Sequence, residues 1–529
     1  MRGSQAKIKN RHSGSQEGLV SAMMHPGFYP KPPAEVRHKE TDISHLFFAG
    51  DLVYKVKKAV RFPFLDYSTL AKRGHFLSEE LRLNRRLAPS VYLAIVPITT
   101  DGAGWQLGGN GYPVEYALVM RRLPEKRMLP FLLETHQVTA AMTGKLAEVL
   151  ARFHAQADRV RSIATSYYPN AVENQWSDNL TDLRQFIGNL IDAETFGALK
   201  EFGAHFIDRH RDLLMRRAEQ GWIRDVHGDL HCEHVCFASE GIQIFDCIEF
   251  SSKLRCCDLA SEIAFLLMDL EVRGGEALLK PFLTRYCQLL DDPELPLLLP
   301  YYKCYRALAW GTVEALRSQG PDTNAARYFR FAARFTWERW KPFLIMVYGL
   351  TGSGKSTLAR ELGDRLGLPV INSDSVRKAM AGKSGRQTVV FNEGIYSLTM
   401  TQKTYAKMAR EAEKQILNGA GAILDATFGQ KAHREKISKL AAKHKIPLVL
   451  IHCVASEETS KKRLDLRAAE GKDISDGRWE IYGAQKAAYQ PITEVPPGTR
   501  LELNTESPLE ELARASEEFL RARLEQLRG

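Results

Sequence analysis

With 529 residues, 44% of them apolar and 26% charged, the chain has the make-up of an ordinary globular protein of two to four domains, not of a disordered or fibrous one. A net charge of +10 favours polyanionic partners, nucleotides and nucleic acid among them, although 73 basic against 63 acidic residues also describes a large mixed surface. No run of about eighteen apolar residues argues for a membrane span, and eight cysteines without a C-x-x-C pair suit a reducing cytoplasm better than a disulfide framework.

Residues 1–20 are basic and polar, lack the apolar core of a secretory signal, and read as a disordered tail. Pro26, Pro30, Pro32 and Pro33 then prevent any one regular element. Two short β-like runs, His45 to Ala49 and Leu52 to Val56, flank Gly50-Asp51, a hairpin signal. Residues 75–88 form a helix stopped by Pro89, and 91–120 alternate in β fashion around a glycine-rich turn at 102–111. This is a small β-rich lobe, to about residue 120. From 135 to 220 apolar residues recur three and four apart, as in LAEVLARFHA. A loop and short β pair at 222–250 lead to further helix, to about 339. Beyond a boundary near 340, segments 343–348, 369–372, 422–427 and 448–454 read as strands between helices, the pattern of a parallel sheet covered on both faces.

The first chemically loaded run is His227-Gly-Asp229-Leu-His231, with Asp246 seventeen residues beyond Asp229 at the end of a β segment. Two carboxylates so placed suit phosphoryl transfer: one accepts or orients a hydroxyl, the other holds Mg²⁺. His227 would brace the loop. Upstream, Lys55 and Lys57 share one strand face, so only one need point at phosphate, and Glu79 or Glu80 supplies a partner. Cys232 and Cys236 beside His231 and His234 raise a zinc site, but no second pair follows at ligand spacing.

The second run is Gly349-Leu-Thr-Gly-Ser-Gly354-Lys355-Ser356, between an apolar strand and a helical segment, which is the context a P-loop requires. The nucleotide-binding set is Gly349, Gly352, Ser353, Gly354, Lys355, Ser356 and Thr357. Lys355 reaches the β- and γ-phosphates, and Ser356 ligates Mg²⁺. At the end of the next strand, Asp374 can take a proton from an attacking hydroxyl and Arg377 can hold a phosphate, or Ser373 or Asp374 can simply cap a helix. Asp425, ending a buried strand in Asp-Ala-Thr, suits the water shell of Mg²⁺ or a substrate. Arg463 and Arg467, four apart, form a lid or a solvated basic face.

Residues 35–340 resemble the aminoglycoside-phosphotransferase-like branch of the protein-kinase fold, so the resemblance implies a two-lobed α+β kinase. It implies that Lys55 contacts phosphates, Glu80 braces it, Asp229 is the catalytic aspartate and Asp246 the metal aspartate. Val53 and Tyr54 before Lys55, and Leu87 seven residues after Glu80, match the family's strand and helix. Asp258 resembles a structural aspartate that follows the metal site. One position departs: the family's H-G-D-x-x-x-x-N ends here in His234, a ring nitrogen where an amide oxygen would meet Mg²⁺. Either the metal is held differently, with His234, Glu233 or Glu249, or this lobe is a weakened kinase. Residues 343–529 resemble small P-loop kinases of the polynucleotide- and gluconate-kinase-like group, an α/β fold. That resemblance implies Asp374 and Arg377 as base and phosphate contact, and Arg463 and Arg467 as lid arginines.

These readings converge on a cytoplasmic two-kinase fusion using ATP and Mg²⁺, with residues 21–340 and 341–529 as its domains. The acceptor is a hydroxyl on a small molecule or a nucleic-acid end, and the oligomeric state is left open. The alternative is one active P-loop kinase regulated by a nucleotide-binding, pseudokinase-like N-terminal domain.

Overall fold

A computed structural model describes residues 13–63, 65–102, 104–160, 168–317, 323–382, 397–470, 479–493 and 498–527. The chain divides into two compact units: residues up to 190 with 203–328, and residues 191–202 with 329–529.

The first unit opens on a helix, Ser13–Met23, which corrects the expected tail; residues 1–12 lie outside the described residues. Leu19 and Met23, one helical turn apart, are buried among Tyr29, Phe47 and Tyr54, and the Tyr29 hydroxyl donates to the Met23 carbonyl at 2.6 Å. An antiparallel six-stranded sheet follows, ordered Val36–Glu40, Ser44–Ala49, Leu52–Lys57, Tyr112–Arg121, Tyr92–Thr100 and Trp105–Leu107. Gly50, at φ +64°, closes the expected hairpin, in which Ala49 faces Leu52. The helix expected from residue 75 spans Leu70–Asn84, beginning where the Thr69 hydroxyl accepts the Lys72 N–H. The remaining mass is mostly helical, with short antiparallel pairs such as Val235–Ala238 with Gly241–Ile244, and is centred on Leu259–Val272, which is buried on nearly all sides. Asp258 caps that helix through the Ala260 N–H and, with Asp292, encloses the fully buried Arg217.

The second unit holds a five-stranded, all-parallel sheet in the order Val370–Asn372, Ala422–Ala426, Leu344–Tyr348, Leu448–Val454, Arg500–Asn504. Every residue of Leu344–Tyr348 is buried, as a central strand covered on both faces requires. The edge strand Arg500–Asn504 went unforeseen because its RLELN sequence is half polar and short. Besides residues 191–202, the unit takes the chain from Phe329 onward, before the expected boundary near 340, and Trp337 and Trp340 pack with Phe343, Ile345 and Leu362 in its core. No described helix is long and apolar enough to cross a membrane.

Candidate active sites

In the first unit, the antiparallel register sets Lys55 opposite Leu46 and Leu118, on the face that meets Leu70–Asn84. Lys55 Nζ lies 2.7 Å from Glu80 Oε1 and 2.9 Å from Asp246 Oδ1. Lys57, two residues on, reaches the other Glu80 oxygen at 2.7 Å and Glu249 Oε1 at 2.5 Å, and Tyr67 donates to the same Glu249 oxygen. Burial opposes the charge on Glu80, but two ammonium groups hold its carboxyl below the usual range. Glu79, the alternative partner, turns outward to Arg82. Asp246 sits at φ +64°, a left-handed backbone that an aspartate tolerates better than most residues. Burial is the largest single influence and opposes its ionisation, but the Lys55 ammonium, 2.9 Å away, and His234 together outweigh it and keep the carboxyl low.

The loop carrying Asp229 is braced from behind. His227 Nε2 donates to the Phe245 carbonyl at 2.8 Å, tying the loop to the segment that presents Asp246. Burial drives the His227 imidazole down to about 3, so it stays neutral. Glu262 accepts the His227 N–H at 2.9 Å and the Gly228 N–H at 3.1 Å. His234 stands between the two aspartates, with Nδ1 2.8 Å from the Asp229 carbonyl oxygen and Nε2 3.6 Å from Asp246 Oδ2. Glu233 is engaged by Arg273 at 2.9 Å, and Glu249 by Lys57, so neither is held toward Asp246. Among the described residues, Asp229, His231 and His234 form the group spaced as metal ligands are; Cys232 and Cys236 are outside it.

In the second unit, parallel strands bring the P-loop, Asp425 and Asn372 to one edge, since Asp425 is level with Val347 on one side and Asn372 on the other. Gly349 follows its strand with a backbone so close to Cys453 that a Cβ would meet the Cys453 carbonyl oxygen at 2.3 Å. Lys355, opening the helix Lys355–Leu366, rests its Nζ 3.3 Å from the Leu350 carbonyl, with Ser356 and Thr357 next in the same turn. Gly352 and Gly354, both at φ +78°, flank Ser353 in the loop. Arg463 donates to the Thr505 carbonyl at 2.6 Å and the Thr505 hydroxyl at 2.9 Å, and that hydroxyl lies 2.9 Å from the Ser353 carbonyl. Arg463 therefore buttresses the loop from the side; the Arg467 side chain lies outside the described residues. Asp425 is buried, with Oδ2 accepting from Asn372 Nδ2 at 2.7 Å and Oδ1 without a protein partner. Asn372, and neither Ser373 nor Asp374, caps the helix that follows, accepting the Asp374 and Ser375 N–H groups. Asp374 is thereby free to pair with Arg377, Oδ1 to Nη1 at 2.5 Å. The buried, partnerless Ser353 Oγ and Asp425 Oδ1 are polar atoms that nucleotide phosphate and a hydrated cation would satisfy.

Residues 55–299 match the phosphotransferase enzyme family, and residues 344–492 an AAA domain family. An uncharacterized protein of Mycobacterium tuberculosis is 31% identical over 442 residues, 83% of this chain and 87% of its own length. The chain belongs to the same family as that protein. A cytidylate kinase of Methanobrevibacter smithii is 35% identical over 80 residues, 14% of this chain and 46% of the enzyme. A gluconokinase structure from Sinorhizobium meliloti aligns over 35% of this chain and 95% of its own at 17% identity and a TM-score of 0.26. The chain is thus a kinase that joins a phosphotransferase-family domain to a P-loop kinase-like domain.

In this kinase, Lys55, Glu80, Asp229, His234 and Asp246 assemble in one unit, and Lys355, Asp374, Arg377, Asp425 and Arg463 in the other. Sequence reasoning missed Asn372, Thr505, Lys57 as a second partner of Glu80, and Glu262. Asn372 alone left a signal, standing immediately before a helix start, as cap residues do.

Proposed function

We propose that the protein is a bifunctional phosphotransferase whose two units each use ATP and a divalent cation to phosphorylate a hydroxyl. One observation carries the reading for the first unit: a single ammonium, Lys55, spans Glu80 and Asp246, residues 25 and 191 positions away. Such a bridge sets a cation over the phosphates while aligning the carboxylate that holds the metal. ATP would supply the γ-phosphate, and a cation held by Asp246 and His234 would supply positive charge against its oxygens. Asp229 orients the acceptor hydroxyl and takes its proton as the new P–O bond forms and ADP leaves. Asp246 and His234 hold the cation, and His227 with Glu262 keeps the Asp229 loop rigid.

In the second unit, the P-loop N–H groups and Lys355 bind the phosphates, Ser356 and Asp425 serve the cation, and Asp374 with Arg377 faces the acceptor. Likeness to a cytidylate kinase and to a shikimate kinase of Paramagnetospirillum magneticum, 26% identical over 162 residues, 29% of this chain and 79% of that enzyme, favours a small hydroxylated acceptor there over a nucleic-acid end. His234 between Asp229 and Asp246 favours a second reading, in which the first unit binds nucleotide and regulates the second.

Transfer of radiolabelled γ-phosphate from ATP to a metabolite extract and to a 5′-hydroxyl oligonucleotide tests both. Asp229→Asn and Lys355→Ala are expected to remove different labelled products. Loss of every product in Lys355→Ala, with none lost in Asp229→Asn, would establish the regulatory reading instead.

A further inference from the structure

His234 occupies the position where the resembling family carries asparagine, and its geometry fixes what it offers. A carbonyl oxygen only accepts, so Nδ1, 2.8 Å from the Asp229 carbonyl, carries the ring proton. The lone pair is then on Nε2, which faces Asp246 Oδ2 at 3.6 Å. That separation is too long for a hydrogen bond. It matches two ligand atoms of one ion, since bonds of about 2.1 Å at a tetrahedral angle set their ends about 3.4 Å apart. Lys55 takes Asp246 Oδ1 and leaves Oδ2 for such an ion. A metal-bound imidazole ordinarily donates its other N–H to a backbone carbonyl or carboxylate, as His234 does here. The ring is held in place by His231, 4.1 Å away between centroids, and Phe245, 5.7 Å away. His231 is itself buried with neither ring nitrogen hydrogen-bonded, and its Nε2 lies 3.7 Å from Asp229 Oδ2.

Imidazole is a poor ligand for Mg²⁺, which takes oxygen, and a good one for first-row transition ions. We infer that His234 Nε2 and Asp246 Oδ2 together ligate a nitrogen-accepting divalent cation, of the class of Mn²⁺, Co²⁺ or Zn²⁺, and that this site selects such an ion over Mg²⁺. The inference rests on the reading of Asp246 as the cation-holding carboxylate of the first unit. It also gives the departure from asparagine a chemical purpose, a change of metal in place of a loss of activity.

Mn²⁺ bound to the full-length protein tests it. Pulsed electron paramagnetic resonance is expected to show ¹⁴N coupling from an imidazole, because the ligands proposed around the P-loop are all oxygens. His234→Asn should keep a Mn²⁺ site but lose that coupling, and its preference for Mn²⁺ over Mg²⁺ should fall at least tenfold. His231→Gln should retain the coupling. Bound Mn²⁺ without nitrogen coupling in the wild type, coupling that survives His234→Asn, or no Mn²⁺ binding at all would each overturn the inference. Should His234→Asn fail to fold, the wild-type spectrum with the His231→Gln control still decides. The kinase reading fails separately: nitrogen coupling with no phosphoryl transfer that depends on Asp229 would retain the metal site and remove the kinase, whereas such transfer in Mg²⁺ alone, without coupling, would do the reverse.

Discussion

The two phosphate-handling sites of this chain are built from different materials. In the first, the working groups are side-chain charges drawn from a strand, a helix and two loops, and Glu80 sits between Lys55 and Lys57 with almost no exposure. In the second, the working groups are mostly backbone, a tight glycine-containing turn at the start of a helix, with side chains such as Thr505 and Arg463 acting on its carbonyls. A site of buried, mutually neutralised charges also supports the fold around it. A backbone cradle on top of a fully apolar strand leaves stability to the sheet below. Substitutions should therefore damage fold and activity together in the first unit and separate them in the second.

The largest effect expected from that difference is on stability. Glu80→Ala leaves the buried Lys55 and Lys57 ammonium groups each short of a carboxylate at 2.7 Å. Removing one partner from a buried ionic group typically costs about 3–5 kcal/mol, a large share of a domain's margin. Chemical denaturation should show the transition of the first unit shifted or lost and that of the second unchanged; two unshifted transitions would break the comparison. Lys355→Ala is its counterpart. It should lower the activity of the P-loop unit about 10²–10³-fold, the usual cost of one lost charge-stabilising contact, with the melting temperature of that unit intact.

How far each site was legible in the sequence follows from the same contrast. The P-loop was readable because eight consecutive residues make it, and the helix after it is local. HGD and Asp246 were readable as a spaced pattern, and Lys55 with Glu80 through a family likeness. What escaped is what only tertiary folding brings together. Thr505 meets Ser353 from 152 residues away, Lys57 meets Glu249 across 192, and Glu262 meets the His227 N–H across 35. No propensity or period links such pairs. The helix Ser13–Met23 was missed for another reason: its apolar residues are few, and the burial of Leu19 and Met23 depends on a sheet made later in the chain.

A smaller effect concerns pH. His154, inside the helix Ala140–Gln156, is fully buried with Nδ1 2.6 Å from the Tyr286 hydroxyl. Burial, with help from Arg224, lowers its imidazole to about 3 from the usual 6.5. Between those values the unfolded chain binds a proton that the folded chain refuses, so the stability His154 contributes is present above about 6.5 and falls as pH drops toward 3. One proton gives a slope of at most about 1.4 kcal/mol per pH unit. His154→Gln should flatten the fall in melting temperature of the first unit across that window. An unchanged slope would move the acid sensitivity to other buried histidines, of which His227 is the nearest in behaviour.

The smallest effect tests whether the P-loop cradle depends on its side-chain buttress. Thr505→Val keeps shape and volume, and leaves the backbone N–H of residue 505 on the Val454 carbonyl at 2.9 Å. It removes the hydroxyl that lies 2.9 Å from both the Ser353 carbonyl and Arg463 Nη1. The loss should amount to about 1–2 kcal/mol, within the range for an unmet buried hydrogen bond. Because Ser353 lies inside the phosphate loop, the cost should fall on nucleotide binding: a several-fold rise in the KM for ATP of the P-loop unit, with kcat and unfolding nearly constant. A fall in kcat at constant KM would mean instead that the buttress positions Lys355 for the transfer itself. An unfolded P-loop unit would mean that the second site, like the first, draws its stability from its polar contacts, and the contrast between backbone and charge would no longer hold.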